Sequence, residues 1–142
     1  MQMISETHGG RRKAFGWQLV GKKVVIKNVE NREHIYSISE IFLTIQWLHE
    51  KFQMGWFPLA NNVELLHRGE ERPGLGTAIL KWTPHDISHA QGSSYLGVVL
   101  EEVGVFEWNG ERRGIQWRFK NVPETKTKLV ELIEECETKT SS

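Results

Sequence analysis

The sequence predicts a single domain of the α+β class. Of its 142 residues, 39% are hydrophobic and 25% are charged, a balance typical of a folded domain rather than of a disordered chain. Two segments with strand character flank Gly21, and apolar residues recur with a helical period from Ser37 onward. A turn signal at Asn109-Gly110 joins two more aromatic segments. These observations predict an N-terminal β-hairpin, a helical middle, a helix followed by a hairpin, and a C-terminal helix.

Charge and pattern divide the chain into three segments. Residues 1–13 are predicted to be a flexible basic tail, residues 14–137 the α+β domain, and residues 138–142 a frayed end. The first 32 residues hold seven basic and two acidic side chains, although the whole chain is balanced at 18 of each. Because the molecule as a whole is not a polycation, a nucleic-acid ligand would need a local basic patch.

The helical middle begins with the clearest helix signal of the sequence. Ser37 and Glu40 have the capping-box spacing, in which each side chain satisfies a free backbone N–H. The apolar residues of 38–52 then follow the stripe of a helix that packs on a core. Further helices are predicted over residues 61–68, over residues 93–103 and after Pro123. The pattern does not decide the secondary structure of two short segments. NREHIY is either a strand or a lead into the helix, and TAILKW is either a strand or a helical turn.

The stretch EWNGERRGIQWRFK predicts the second hairpin. Asn109-Gly110 indicates a two-residue type I′ turn, in which both residues need a positive φ. This turn would place Glu107 opposite Arg112. The two-residue period then gathers the apolar side chains on one face, which we expect to be buried with Trp117 at its centre. That face comprises Phe106, Trp108, Ile115, Trp117 and Phe119.

The other face of this hairpin is basic and is a candidate nucleic-acid contact. Its basic residues are Arg112, Arg113, Arg118 and Lys120. Lys and Arg side chains on a semi-rigid hairpin could hold phosphates weakly, with strong salt dependence and without sequence preference. The alternative interpretation is a solvated charged edge, because Glu107 and Glu111 reduce the positive potential of the same hairpin.

A helix followed directly by a two-stranded hairpin resembles the second half of a winged helix-turn-helix domain. The resemblance covers residues 37–120 and implies DNA binding, with the helix over residues 93–103 as the recognition helix. That helix offers Ser93, Ser94 and Tyr95, followed by two glutamates, in place of the long basic and amide side chains that read base edges. We therefore expect duplex binding without a strong consensus site.

Histidine and aromatic residues support an alternative hypothesis, which assigns the protein to a different functional class. A small-molecule-binding or enzymatic domain would use a cleft near the GWFPL and HDISH loops. The residues predicted to line it are Trp56, His67, His85 and His89. His85 and His89 have a spacing that could share a metal on a helix, but no third ligand accompanies them. No catalytic residue, metal or cofactor is predicted.

Taken together, the sequence favours a non-enzymatic binding or regulatory module. Nucleic acid is the leading ligand, and a protein partner or a homodimer is the next hypothesis. The single cysteine, Cys136, allows no intrachain disulfide and fits a reducing compartment. Since no apolar run approaches the length of a membrane span, we predict a cytoplasmic protein without membrane contact.

Overall fold

The computed structural model describes the backbone of residues 2–141 and the side chains of residues 2–139. It confirms the α+β class: a four-stranded antiparallel sheet comes first, helices follow, and a small second sheet and a C-terminal helix complete the chain. No helix within residues 2–141 combines the length and the apolar character that a membrane span requires.

The N-terminal sheet has one strand more at each edge than the predicted hairpin. Its strands are β1 (Met3–Glu6), β2 (Ala14–Val20), β3 (Lys23–Asn28) and β4 (Glu33–Ser37), paired in chain order. Residues 1–13 were predicted to be a flexible tail, but β1 pairs with β2 and its Met3 is buried opposite Trp17. The correction has a physical reason, since every second residue of this short strand can face the core. NREHIY, the first of the open segments, supplies β4.

Six helices follow the predicted pattern in most places. They are α1 (Ile38–Phe52), α2 (Val63–Arg68), α3 (Leu75–Leu80), α4 (Ile87–Gln91), α5 (Ser93–Glu102) and α6 (Lys126–Ser141). The hydroxyl of Ser37 caps α1 by accepting the backbone N–H of Glu40 at 3.1 Å. TAILKW, the second open segment, falls within and just after α3. The last helix continues through residues 138–141, where the sequence predicted an end without structure.

The second sheet contains the predicted aromatic hairpin with a different register. Its strands are β5 (Phe57–Pro58), β6 (Phe106–Trp108) and β7 (Gln116–Phe119), in the order β5-β7-β6. Glu107 pairs with Arg118. The predicted pairing of Glu107 with Arg112 is therefore wrong.

The side chain of Asn109 explains the longer loop. Gly110 has a positive φ of 79°, but Asn109 is not among the described residues with positive φ, so a type I′ turn does not form. Instead the Asn109 carboxamide accepts the Glu111 N–H at 3.1 Å and donates to the Gly114 carbonyl at 3.0 Å. Residues 109–115 thus form a seven-residue loop, held by the Asn109 side chain and by the backbone bond from the Asn109 N–H to the Gln116 carbonyl at 3.0 Å.

The aromatic face of this hairpin forms part of the core, as predicted. Trp117 is 1% exposed, Phe106 and Phe119 are buried with it, and Trp108 and Ile115 are half-buried. Helix α5 lies against this face and is itself covered from both sides, so that seven of its ten residues are buried. Its contacts include β6 on one side and β1 on the other. The helix is therefore the centre of the molecule.

Two neighbouring carboxylates at the end of α5 hold both sheets. Glu101 Oε1 accepts the indole N–H of Trp117 at 3.1 Å, and Glu102 Oε2 accepts that of Trp17 at 3.2 Å. The hydroxyl of Ser5 in β1 also donates to Glu102. Hydrogen bonds with one ionised partner are stronger than neutral ones. One turn of helix therefore fixes the N-terminal sheet and the second sheet relative to each other.

We predict that Gly97→Ala destabilises the fold, although the same change in an open helix stabilises it. A Cβ atom at Gly97 would collide with ring atoms of Trp117, whereas one at Gly10 would meet nothing within 4 Å. Overpacking of this kind costs about 1–3 kcal/mol. Urea unfolding of Gly97→Ala should show this loss, and Gly10→Ala should leave the free energy of unfolding nearly unchanged. A stability gain in Gly97→Ala would contradict the close packing of α5 on Trp117.

We also predict that Glu102→Ala is more destabilising than the same change on an exposed helix face. Trp17 is 0% exposed, so loss of the carboxylate leaves its indole N–H without that acceptor inside the core. The expected cost is about 1–3 kcal/mol by urea unfolding. The exposed Glu134 in α6 is the matched control. Equal effects of the two substitutions would show that the indole contact contributes little.

Candidate functional site

A cleft of about 730 Å³ opens at one end of the N-terminal sheet. Two of its walls are the turns that connect β1 to β2 and β3 to β4, which emerge at the same end because the sheet is an antiparallel meander. The junction of α4 and α5 forms the third wall, with contributions from Leu59, Asn61 and Ile115. Five separate segments of the chain therefore meet here. We call this space the basic cleft, for the charges on its first two walls.

Backbone hydrogen bonds hold the β1–β2 turn in place. The Thr7 N–H donates to the Lys13 carbonyl at 2.9 Å, and the Thr7 hydroxyl accepts the Lys13 N–H at 3.0 Å. Between them Arg12 takes a positive φ of 43°, which few residues other than glycine adopt without tertiary support. The side chains of Arg11 and Lys13 are thus carried on a closed turn.

The β3–β4 turn is closed by an asparagine. The Asn28 carboxamide oxygen accepts the backbone N–H groups of Glu30 and Arg32, both at 3.0 Å. Asn31 supplies the positive φ of 62° that the tight turn requires, and asparagine tolerates this conformation better than most residues. This closure brings Arg32 to the cleft.

The lip of the basic cleft carries more positive than negative charge. Arg11, Lys13 and Arg32 line it, together with Glu30 and Glu33. Both carboxylates have cation partners at 3.8 Å, Glu30 with Arg32 and Glu33 with Lys27. Within residues 2–139, no carboxylate oxygen lies within 4.0 Å of the charged nitrogens of Arg11 or Lys13. Two cations that line the cleft therefore have no ion-pair partner in the part of the chain whose side chains are described.

Neutral polar and aromatic groups also line the cleft. Burial and the neighbouring His89 lower the pKa of His34 from its ordinary value of 6.5, so this imidazole is neutral at pH 7. Its ring lies tilted against Tyr95 with centroids 5.3 Å apart. The Asn61 amide donates to the Gln91 carbonyl at 2.9 Å. The cleft thus combines cations at its lip with neutral donors and acceptors inside.

The hairpin residues predicted to bind nucleic acid do not form one continuous free edge. Arg118 donates to Glu107 at 2.7 Å, which lowers the pKa of that carboxyl, and its guanidinium lies 4.5 Å from the centre of the Trp56 ring. Arg112 donates to the His8 carbonyl at 3.4 Å. Arg113 and Lys120 are exposed.

The residues predicted to line a histidine cleft are not brought together. Trp56 lies beside the hairpin, and His67 and His85 are exposed, on the last turn of α2 and just before α4. His89 is turned inward: its imidazole contacts the Glu40 carboxylate and stacks on Tyr36 with centroids 4.3 Å apart. None of these four lines the basic cleft.

The capping of α4 explains why His85 and His89 separate. Asp86 accepts the His89 N–H at 3.0 Å, so the helix starts after His85 and only His89 lies within it. No group of three or more potential ligands close enough to hold a metal ion occurs in the described part of the chain.

The sequence indicated the basic N-terminal segment, including a basic arm that could contact phosphates, but it placed Arg11 and Lys13 in a tail and so did not predict the basic cleft. The signal that could have found the cleft is the meander itself. Successive turns of an antiparallel sheet alternate between its two ends, so the first and third turns meet on one side. Basic residues occur in both of those turns, at positions 11–13 and 32.

Comparison of the chain with models of protein families, with curated proteins and with solved structures gave no match. The function proposed below therefore depends on the geometry and charge of the site alone.

We predict that His34 takes up its proton at a pH below 6.5 in the folded protein. Because its pKa is lowered on folding, the unfolded chain binds more protons as the pH falls through 6.5, and the free energy of unfolding decreases there. Urea unfolding between pH 7 and pH 5 should show a shallower loss of stability in His34→Gln than in the wild type. Titration of the His34 ring by NMR gives a direct measure, and a midpoint at or above 6.5 would contradict the prediction.

Proposed function

We propose that this protein is a non-enzymatic binding module that holds a nucleic acid by its phosphates in the basic cleft. The observation that supports it is the pair Arg11 and Lys13, which have no carboxylate partner among the described side chains and line a concave site of about 730 Å³. Cations at the edge of a cleft concentrate anions there, because the low-dielectric walls focus the field. Arg32 adds a third positive group on the facing turn.

The interior of the cleft suits the remaining parts of a nucleotide. Asn61, Gln91 and Ser94 offer hydrogen-bonding groups of the kinds that bases and sugars pair with. The neutral His34 can donate or accept a hydrogen bond without repelling Arg32. Phosphates at the lip and bases inside would therefore use both zones of the site.

We also propose that residues 37–120 form a unit similar to a winged helix-turn-helix domain. Supporting this, β5 follows α1 and joins the later β6–β7 hairpin as a third strand. The recognition helix implied by the resemblance is α5, whose residues are mostly buried beneath the N-terminal sheet. Since an α-helix must expose a face to enter a major groove, base reading by α5 is not part of the proposal.

A small-molecule ligand is the second candidate, favoured by the size of the cleft. Its volume of about 730 Å³ falls within the range of roughly 300–1,000 Å³ typical of such sites. The cleft also touches the two loops named for this alternative, because Leu59 is the last residue of GWFPL and Ser88 lies within HDISH. A protein partner or a homodimer remains a prediction, as does the cytoplasmic location indicated by the single cysteine.

We predict that reversing two cleft cations weakens nucleic-acid binding more than reversing two hairpin cations. The double variant Arg11→Glu, Lys13→Glu should lose roughly tenfold or more in affinity for a labelled DNA oligonucleotide at low ionic strength, because it removes two of a few phosphate contacts. Arg113→Glu, Lys120→Glu is the control, since it changes the net charge equally on exposed residues. Fluorescence anisotropy measures both affinities.

Each other outcome of that titration has a definite meaning. Equal losses in the two double variants would show that only the overall charge matters, and a larger loss in the hairpin variant would move the contact to the hairpin edge. Full displacement of the oligonucleotide by adenosine monophosphate would favour the small-molecule alternative. Absence of binding by the wild type would overturn the proposal. Circular dichroism melting and sedimentation velocity verify that the variants keep their fold and mass.

A further inference from the structure

The basic cleft continues into a second depression of about 280 Å³. The two spaces share three lining residues, Leu59, Asn61 and Ile115. Arg72 and Arg112 line the second depression on the far side of these residues. We call the two adjoining depressions the groove; cations line both of them, and two of the three residues that they share are apolar.

The middle of the groove is rigid backbone. The Leu59 N–H donates to the Ile115 carbonyl at 3.1 Å, and the Leu59 carbonyl accepts the Gly76 N–H at 2.8 Å. A Cβ atom at Gly76 would collide with the backbone of Ala60, so this packing depends on the glycine. Leu59 and Ile115 are consequently held beside each other, on the line that joins the two groups of cations.

We propose that this groove binds a single-stranded nucleic acid along its length, and this inference rests on the proposed function. The phosphates of the strand contact Arg11, Lys13 and Arg32 at one end and Arg72 and Arg112 at the other. Its bases lie over Leu59 and Ile115, with Asn61 beside them. Proteins bind single strands without sequence preference through a positive groove that follows the backbone and aromatic side chains on which the bases stack. Here Leu59 and Ile115 would supply an aliphatic surface in place of the aromatic rings.

The shape of the site favours a single strand over a duplex. Duplex bases are paired and stacked inside the helix, so a protein reads them with a helix or a β-ribbon placed in a groove of the DNA. Here α5, the helix that the winged-helix resemblance implies for this role, is buried. A recessed channel instead suits a strand whose bases are free to turn inward.

The second depression is lined by two cations and one carboxylate, so its lining keeps a net positive charge. Glu71 accepts the backbone N–H of Asn62 and that of Arg72, each at 2.9 Å, so its oxygens are occupied by the chain itself. Within residues 2–139, Arg72 and Arg112 make no ion pair with a carboxylate, and Arg112 donates only weakly to the neutral carbonyl of His8 at 3.4 Å. Both guanidinium groups can therefore neutralise phosphates.

The salt dependence of binding tests the length of the contact. Five phosphate contacts to a single strand give a slope of log affinity against log salt of about −3.5, and three give about −2.1. The wild type with a labelled thymidine oligomer should show the steeper slope. The variant Arg72→Glu, Arg112→Glu should show a slope near the shallower value, and Arg113→Glu, Lys120→Glu should keep that of the wild type. A series of shorter oligomers should lose affinity once the strand no longer reaches both ends.

The outcomes separate this inference from the proposed function. Binding that depends on Arg11 and Lys13 but is indifferent to Arg72→Glu, Arg112→Glu would overturn the extended groove and leave the basic cleft as the site. A duplex of equal length that binds more tightly than the single strand would overturn the preference for single strands. Equal competition by a polyglutamate peptide of matched charge would show that binding depends on negative charge alone and not on the bases of the strand. Failure of any oligonucleotide to bind would remove both proposals.

Discussion

Two adjacent carboxylates on one helix determine how the two sheets are arranged. Glu101 and Glu102 end α5, where the helix dipole disfavours negative charge, so both depend on donors from outside the helix. The indole groups of Trp117 and Trp17 supply them from opposite sides. His8 adds a contact to Glu101 at 2.6 Å while its ring stacks on Trp108 at 3.6 Å. The N-terminal sheet, α5 and the second sheet are thereby joined at the last turn of α5.

This arrangement also decides where a ligand can approach. The N-terminal sheet packs on α5 and is held there by the bond from Trp17 to Glu102. The face of α5 that a helix bound in a DNA major groove would expose is therefore part of the core. The other end of α5 lies about 15 Å away, and there the turns of the same sheet extend past the helix and leave the basic cleft. The N-terminal sheet thus buries the face of α5 that could enter a DNA groove, and its turns form two walls of the basic cleft.

Local patterns in the sequence were sufficient for the elements and for part of the core. The start of α1, the buried stripe of α5 and the aromatic face around Trp117 follow from capping and periodicity within a few residues. The pairing of β1 was not predictable in this way, because its partners lie 8 to 14 residues away and its own four residues carry a weak signal. The hairpin register depended on the side-chain hydrogen bonds of Asn109, which compete with the turn that Asn-Gly favours.

The candidate site was harder to predict than the fold because no segment contains it. Arg11, Arg32 and Gln91 meet only after the meander and the α4–α5 junction have formed. Net charge over the first 32 residues pointed to this end of the chain, but a linear count cannot distinguish a tail from a turn. The hairpin cations stood out in the sequence for the opposite reason: they are close together along the chain, although Arg118 is engaged by Glu107.

The hydrogen bond between Trp17 and Glu102 joins residues 85 positions apart and has a consequence for synthesis on the ribosome. The N-terminal meander can complete its own strand pairing as soon as residue 37 has emerged. Its apolar side, which includes Phe15, Trp17 and Ile26, becomes buried only after α5 and α6 have been synthesised, because these helices cover it. A nascent chain of intermediate length therefore presents a paired sheet whose apolar side is exposed to solvent. Surfaces of this kind are what chaperones shield during translation.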